Sequence, residues 1–593
     1  MSHPRQYIDE DKVKSLMTLR QLFWRLWPYM SRYKGSVYTI VAMVLVFTAL
    51  GRVMPYLFGY AVDNGVAVKD MSIVVKIAIA YFLCEMTRVT LGLLHTFRME
   101  KLGNRVLFDL RETLINHVQR LPTQYFDRNP TGRIVTRVTN DVLSLGDLFN
   151  QGFTAIFVCT LEMVAISVAM LLLSPVLTAW TLALAPLAAY LSIKVSQRAR
   201  FYFSETKKKM AQQNAFTAES LNGMKVLQLF AQTHTRQNRF GELSNDYKEA
   251  QLNTVRQFAL LWPIIGFFNV VTVASALLFC SLYQESLGLT IGQITTFLLL
   301  VQSFYQPIRT LLERYNQFQN SLAGADRIFT LLSEPTESEA GQMISVGDIE
   351  FKDLSFRYSP QDQYALSNVN MKIERGQSVA LVGRTGSGKS TFISLLQKLY
   401  PISEGAIEIS GVPLHDISIL SLRRQLGVVQ QDPFIFKGTL LSNITLHDES
   451  MSEERAKIAL LRVGGGKILN RSDAGMKMRI EERGSNLSVG EKQILSFARV
   501  LAHDPKILIL DEATANVDSE SEKIIQSATD EVMKNRTCIV VAHRLSTIVK
   551  CDKIVVLDKS KIVEVGRHEE LLAKDGLYAK YYNAGLAQND LTI

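Results

Sequence analysis

The densest chemistry in the chain lies in Gly383-Arg384-Thr385-Gly386-Ser387-Gly388-Lys389-Ser390, followed by Thr391. The spacing is G-x-x-x-x-G-K-[ST]. The run Ser378-Val379-Ala380-Leu381-Val382 before it reads as a buried strand, and Phe392 to Leu399 after it reads as a helix. A strand, a glycine-rich turn and a helix start, in that order, turn consecutive backbone N–H groups onto phosphate oxygens at the positive end of a helix. Lys389 would reach the β- and γ-phosphates, and Ser390 would ligate Mg²⁺. A chance glycine-rich turn would not bring strand, spacing, Lys, Ser and helix together. A second apolar run, Lys506 to Leu510, ends on Asp511 and Glu512. Asp511 suits Mg²⁺, directly or through water. Glu512 is placed to orient or deprotonate an attacking water. A third apolar strand, Cys538 to Ala542, ends at His543, whose imidazole could contact a γ-phosphate. Tyr358, upstream of the loop, could stack on adenine through its ring face. The cofactors implied are ATP and Mg²⁺. Gly464-Gly465-Gly466-Lys467 lacks the spacing and has Ile468 where Ser or Thr should follow, so it reads as a connection between helices.

The chain that must position these groups has 593 residues, too many for one domain. Its composition divides it: long apolar runs within 35–325, a polar, proline-bearing linker over 326–345, and a mixed α/β domain over 346–586. Residues 1–34 form a cytosolic N-terminal segment and 587–593 a tail. The net charge of +9 could mark nucleic acid or an anionic membrane as partner. Lys and Arg crowd the segments between apolar runs, which favours the membrane and argues against nucleic acid. Cys84, Cys159, Cys280, Cys538 and Cys551 show no paired spacing and read as small hydrophobes, not disulfides or a zinc site. The charged, polar N-terminus shows no cleavable signal.

Six apolar segments, near 36–58, 73–97, 152–173, 175–195, 258–280 and 290–312, approach the ~20 residues that span a bilayer core. Ser174-Pro175 is a tight turn between two of them. The N-terminal segment and the segments between spans two and three and between spans four and five are rich in Lys and Arg. The other three connections are poor in both. Positive charge therefore puts both termini in the cytosol of a multi-pass protein of the cytoplasmic (inner) membrane. No proline interrupts Leu187 to Trp262, which predicts helices running far past the membrane and turning near Asn222-Gly223. A similar hairpin over 98–151 should break within Phe126 to Gly132. Arg52, Glu85, Arg88 and Glu162 fall in or near spans, where a charge faces a cavity or a partner. Glu85 and Arg88 share a helical face. Each of the four could line a substrate cavity or serve structurally. Phe267, Phe268, Phe297, Phe304 and Tyr305 could bind an amphipathic guest, but such aromatics more often pack helices.

Between the phosphate loop and Asp511 lies Leu487-Ser488-Val489-Gly490-Glu491-Lys492-Gln493, similar to the L-S-G-G-Q signature of ATP-binding cassette (ABC) transporters. Nearly the whole chain resembles an ABC exporter half-transporter of the multidrug or lipid type. Val429 to Phe434 resembles the family's glutamine loop, with Gln431 sensing Mg²⁺ and water. Ala515-Asn516-Val517-Asp518 resembles the D-loop, and Ala542 to Ser546 the segment of the switch histidine. Glu482-Arg483-Gly484 resembles the exporter-specific loop. Tyr125 to Gly132 with Arg137 to Asp141, and Glu219 to Gly223, resemble two coupling regions.

The resemblance implies an α-helical transmembrane domain, with six spans and long cytosolic extensions, fused to an α/β P-loop nucleotide-binding domain. It implies catalytic roles for Glu512, His543 and Gln431, Mg²⁺ ligation by Ser390, Gln431 and Asp511, and ATP contacts from Tyr358, residues 383–391, Ser488, Gly490 and Asp518. Two cassettes would clamp ATP head to tail, so a second half-transporter chain is required. Membrane lipids surround the spans, and a hydrophobic or amphipathic substrate is exported. Val489 replaces a glycine of the signature and Glu491 a glutamine, which should weaken the clamp. An intact Walker set beside an altered signature resembles one subunit of a heterodimeric exporter with one degenerate ATP site. A homodimeric lipid flippase, and an ATP-gated channel or regulator, are the alternatives.

Overall fold

A computed structural model describes residues 17–282, 288–512, 519–542 and 545–589. The chain forms two compact units, Met1–Gln119 with Asn129–Glu334, and Arg120–Arg128 with Pro335–Ile593.

The first unit is helical. Among the described residues, five helical stretches are long and apolar enough to cross a membrane: Lys34–Val66, Met71–Gln119, Thr154–Leu173, Pro175–Asn222 and Thr233–Leu282. The sixth expected span lies on Ile291–Ser333, a helix of 43 residues with Gln293, Thr295, Thr296, Gln302 and Gln306 among its apolar positions. It is not among those five. The turn at Ser174-Pro175 is present. Ser174 Oγ accepts the Leu177 N–H at 3.4 Å, and Pro175 opens the next helix, where its missing N–H costs nothing.

The helices do run on past the apolar stretches. Ala185–Asn222 has 38 residues and stops at the expected Gly223. It packs along Thr233–Ala259, with Thr206 and Thr254 hydroxyls 2.8 Å apart between the two and a Lys209–Asp246 ion pair at 2.7 Å. The other hairpin breaks slightly earlier than the sequence suggests. Met71–Gln119 ends, a short helix Thr123–Arg128 intervenes, and Pro130 precedes the restart at Thr131. Asp141, in the segment that the sequence likens to a first coupling region, accepts two bonds from Arg327 of the helix Ile291–Ser333, at 2.9 and 2.5 Å.

The first and last long helices of this unit touch through glycine. A Cβ on Gly292 would lie 2.1 Å from the Gly59 carbonyl oxygen, so neither position has room for a side chain. Asp63 closes the same contact: its carboxylate accepts the Gly292 N–H at 2.7 Å and the Thr290 hydroxyl.

Within the apolar helices, Arg88 donates to Glu85 through Nε and Nη2 at 2.7 and 2.5 Å, as the three-residue spacing suggests. Arg52 has two buried guanidinium nitrogens without a hydrogen-bond partner among the described residues, and Glu162 is half-buried. Phe268, Phe297, Phe304 and Tyr305 are buried in one shared core, where Tyr305 and Thr272 hydroxyls lie 2.7 Å apart. Those four are helix packing; Phe267 is exposed.

The second unit is built on sheets. Strands β1 (Ile349–Phe356), β2 (Leu366–Ile373), β4 (Glu404–Ile409) and β5 (Val412–Pro413) form an antiparallel sheet in the order β2-β1-β4-β5. Strands β3 (Ser378–Val382), β6 (Leu426–Val429), β9 (Ile507–Glu512), β10 (Thr537–Ala542), β11 (Lys553–Asp558) and β12 (Lys561–Gly566) form the main sheet, ordered β12-β11-β3-β10-β9-β6. Two short strands, β7 (Gly438–Thr439) and β8 (Arg479–Ile480), pair apart from these. All of the main sheet except its β12 edge is parallel, and both faces are covered, so its strands read as unbroken apolar runs. Val379, Leu381, Ile507 and Ile509 point into one core with Phe392 and Leu396. Ala380, Val382, Leu508 and Leu510 point into the other with Leu495 and Ala498.

Candidate functional site

The phosphate loop leaves the C-terminal end of β3 and enters the helix Lys389–Leu396. Its glycines are required by shape. Gly388 has φ +107°, and a Cβ there would sit 2.6 Å from the Ala365 carbonyl oxygen. Lys389 curls back over the loop and donates to the carbonyls of Gly383 and Arg384 at 2.6 and 3.0 Å. Burial lowers its pKa from the usual lysine value, partly offset by the negative field of Asp511. Ser387 Oγ is buried without a hydrogen-bond partner among the described residues, while Arg384, Thr385, Gly386 and Ser390 are exposed. A buried ammonium, an orphaned hydroxyl and an exposed glycine turn at a helix start fit a triphosphate.

Strand register brings the acidic pair alongside. Leu381 pairs with Val541 of β10, and Val541 pairs with Asp511 of β9, so the loop and Asp511 lie two strands apart at the same edge. Glu512 pairs through its backbone with Ala542, the last residue before His543. Ligands of open parallel sheets bind at this C-terminal edge. Gln431 follows β6, the next strand out, and is exposed. His543 and Asp518 lie outside the described residues. A metal at this edge would draw on Ser390, Gln431 and Asp511. It would supply charge neutralisation for phosphoryl transfer, to which the Lys389 ammonium would add.

Tyr358 is half out of the protein. Its ring meets Phe356 and Tyr400 edge-on, with centroids 5.0 and 5.1 Å away, and its hydroxyl lies 3.0 Å from that of Thr391. Tyr400 in turn donates to Asp127 of the short helix Thr123–Arg128. Burial and that carboxylate push the Tyr400 phenol well above its usual pKa. The residue expected to face adenine is thus one ring, Tyr400, away from the short helix Thr123–Arg128, which the sequence likens to a coupling region.

Ser488, Val489, Gly490 and Glu491 open the helix Val489–His503. That helix covers the face of the main sheet opposite to the phosphate-loop helix. One cassette therefore presents the loop and the signature on different sides.

Three residues of this site carried no signal in the sequence. Arg499 of the signature helix donates to Asn443 O at 2.5 Å and to Phe434 O, in the glutamine loop, at 2.7 Å. Arg471 holds Glu491, and Tyr400 holds Asp127. Each pairing bridges distant segments, so no local spacing announces it.

A helical unit with membrane-length spans, joined to a parallel-sheet unit with a phosphate loop, defines a nucleotide-driven membrane transport protein. The ABC transporter transmembrane region model matches residues 37–308, and the ABC transporter model matches 366–515. The chain is 36% identical over 497 residues to a probable multidrug resistance ABC transporter ATP-binding/permease protein, YheH, of Bacillus subtilis, covering 82% of this chain and 73% of that one. It is 31% identical over 572 residues to the ATP-dependent lipid A-core flippase of Escherichia coli, covering 96% and 98%. A bacterial Atm1-family ABC exporter with ATP bound superposes with a TM-score of 0.79 at 25% identity, over 93% of this chain and 98% of that one. The chain belongs to the ABC transporter family, and it couples ATP hydrolysis to membrane transport.

Proposed function

We propose that the chain is half of a two-chain exporter that moves amphipathic small molecules, drug-like or lipid, out across the cytoplasmic membrane by alternating access. In this reading six spans cross the bilayer, and both termini and the cassette lie in the cytosol. The placement of phosphate loop and signature on opposite faces of one sheet supports it most, since each ATP needs a loop from one chain and a signature from another. The multidrug and lipid A-core relatives support the substrate class.

Lys389 binds the β- and γ-phosphates. Ser390, Asp511 and Gln431 hold Mg²⁺. Glu512 orients or deprotonates the attacking water, and His543 contacts the γ-phosphate. Tyr358 stacks on adenine; Ser488 and Gly490 face the partner's nucleotide, with Asp518 at the seam. Closing the cassettes on ATP drives the helical extensions, and hydrolysis resets them.

The partner is a different chain. Val489 stands 56% exposed at the first position of the signature helix, adding bulk where a glycine would let backbone meet phosphate. The second reading, a homodimer, draws on Arg471, which occupies the Glu491 carboxylate and removes half of the case for a degenerate site. The test is transport into inverted vesicles by the chain purified alone. Full uphill transport without a second gene product rejects the obligate heterodimer. ATPase without uphill transport by any combination rejects export and leaves a gated channel or regulator.

A further inference from the structure

Glu491 would oppose phosphate binding if its charge were free, because it lies in the first turn of the helix whose start faces the partner's ATP. Its carboxylate is not free. One oxygen accepts the Ser488 N–H at 2.8 Å, and the Glu491 N–H returns to Ser488 Oγ at 3.2 Å, which completes a capping box. The other oxygen is bound by Arg471 Nη2. Arg471 Nη1 also donates to the Asn486 carbonyl at 3.2 Å. The Asn486 side chain in turn donates to Arg479 O at 3.0 Å and accepts the Glu481 N–H at 3.1 Å. The Glu491 side chain is only 15% exposed against 46% for Arg471, so the pair is covered on the carboxylate side, where salt screens little. Ser488 Oγ spends a lone pair inward on the cap, and its hydroxyl hydrogen remains free to donate outward.

We infer that Arg471 is a positioning residue for ATP engagement: it neutralises Glu491 and fixes the Asn486–Glu491 turn, so that this chain's signature can still bind a nucleotide's γ-phosphate. The inference rests on the ATP-clamp reading above. It explains how a carboxylate is tolerated where negative charge would otherwise repel the ligand. It also assigns a task to a residue twenty positions upstream of Glu491, in a loop with no motif of its own.

The test uses the assembled full-length transporter in lipid nanodiscs, with its partner where one is needed. Arg471→Ala, Glu491→Gln and the double variant are compared. Two quantities are read: the ATP concentration for half-maximal hydrolysis, and the amount of ATP trapped per dimer in a Glu512→Gln background. Arg471→Ala is expected to raise the half-maximal ATP concentration about fivefold or more with kcat within about twofold, and to lower trapping. Glu491→Gln keeps the cap without the charge, so the double variant should return to within about twofold of the parent. Unchanged values in Arg471→Ala overturn the inference. So does a double variant as impaired as Arg471→Ala, which would mean that Arg471 acts by packing alone. A parent without ATPase activity rejects the transport reading instead, while trapping still reports on Arg471.

Discussion

At the scale of single residues, Lys389 links charge to fold. Desolvation lowers its pKa below the unfolded value, so the unfolded chain binds that proton more tightly. Stability of the nucleotide-free cassette must then rise with pH between the lowered folded value and the ordinary lysine value, and the cost of the buried ammonium is fully present below that window. Lys389→Met should flatten this rise, and thermal melts across the alkaline range below the ordinary lysine value will show it; an equal slope in both proteins refutes it. The same variant should lose the upward shift in melting temperature that ATP gives the parent. Gly388→Ala places a methyl against the Ala365 carbonyl at a left-handed φ, and should reduce ATP binding by tenfold or more, at roughly the scale of two strained contacts. Nucleotide titration of the purified variant measures it, and near-normal affinity would contradict the steric argument. The phosphate loop was legible in the sequence because its chemistry is local: eight consecutive residues hold the glycines, the Lys and the Ser. Arg499, Arg471 and Tyr400 were not, because their partners Phe434, Asn443, Glu491 and Asp127 lie elsewhere in the chain and only the tertiary fold brings them close.

Among elements, the signature helix stands out, since a side chain ties it to the glutamine loop. Arg499→Met would leave the Phe434 and Asn443 carbonyls without that donor, at a cost of about 2–4 kcal/mol. Its expected result is earlier proteolysis of the cassette and weaker coupling of ATPase to substrate; a variant with parental protease resistance and substrate stimulation argues that the tether is idle. Ser488→Ala removes the cap and should cost about 1 kcal/mol, in addition to any loss of the ATP contact proposed for it. The helical extensions were readable from the absence of proline, and so was the stop at Gly223. The first hairpin's break was placed a few residues late. Pro130 and Gly132 are strong punctuation, whereas the helix ends already at Gln119, before Thr123–Arg128 packs with the cassette.

For the whole molecule, the proposed topology makes a clear demand. Single cysteines placed in the 222–232 turn should react with an impermeant maleimide only from the cytosolic face, and cysteines near Lys69 only from the opposite face. Labelling of both from one side would overturn the orientation. Five of the described helices have the length and hydropathy of a span, and the proposed sixth, within Ile291–Ser333, falls short of them because of the polar residues on that helix. Thr296, for instance, donates to the Pro55 carbonyl at 3.0 Å. The Gly59–Gly292 contact has one more implication. Where two backbones meet with no side chain between them, a single methyl acts as a wedge, tolerated only in conformers that have already parted at that point. Gly292→Ala should therefore bias the resting ensemble toward molecules unzipped at the Asp63 end, visible as a longer spin-label distance between positions 60 and 291 before any ATP is added.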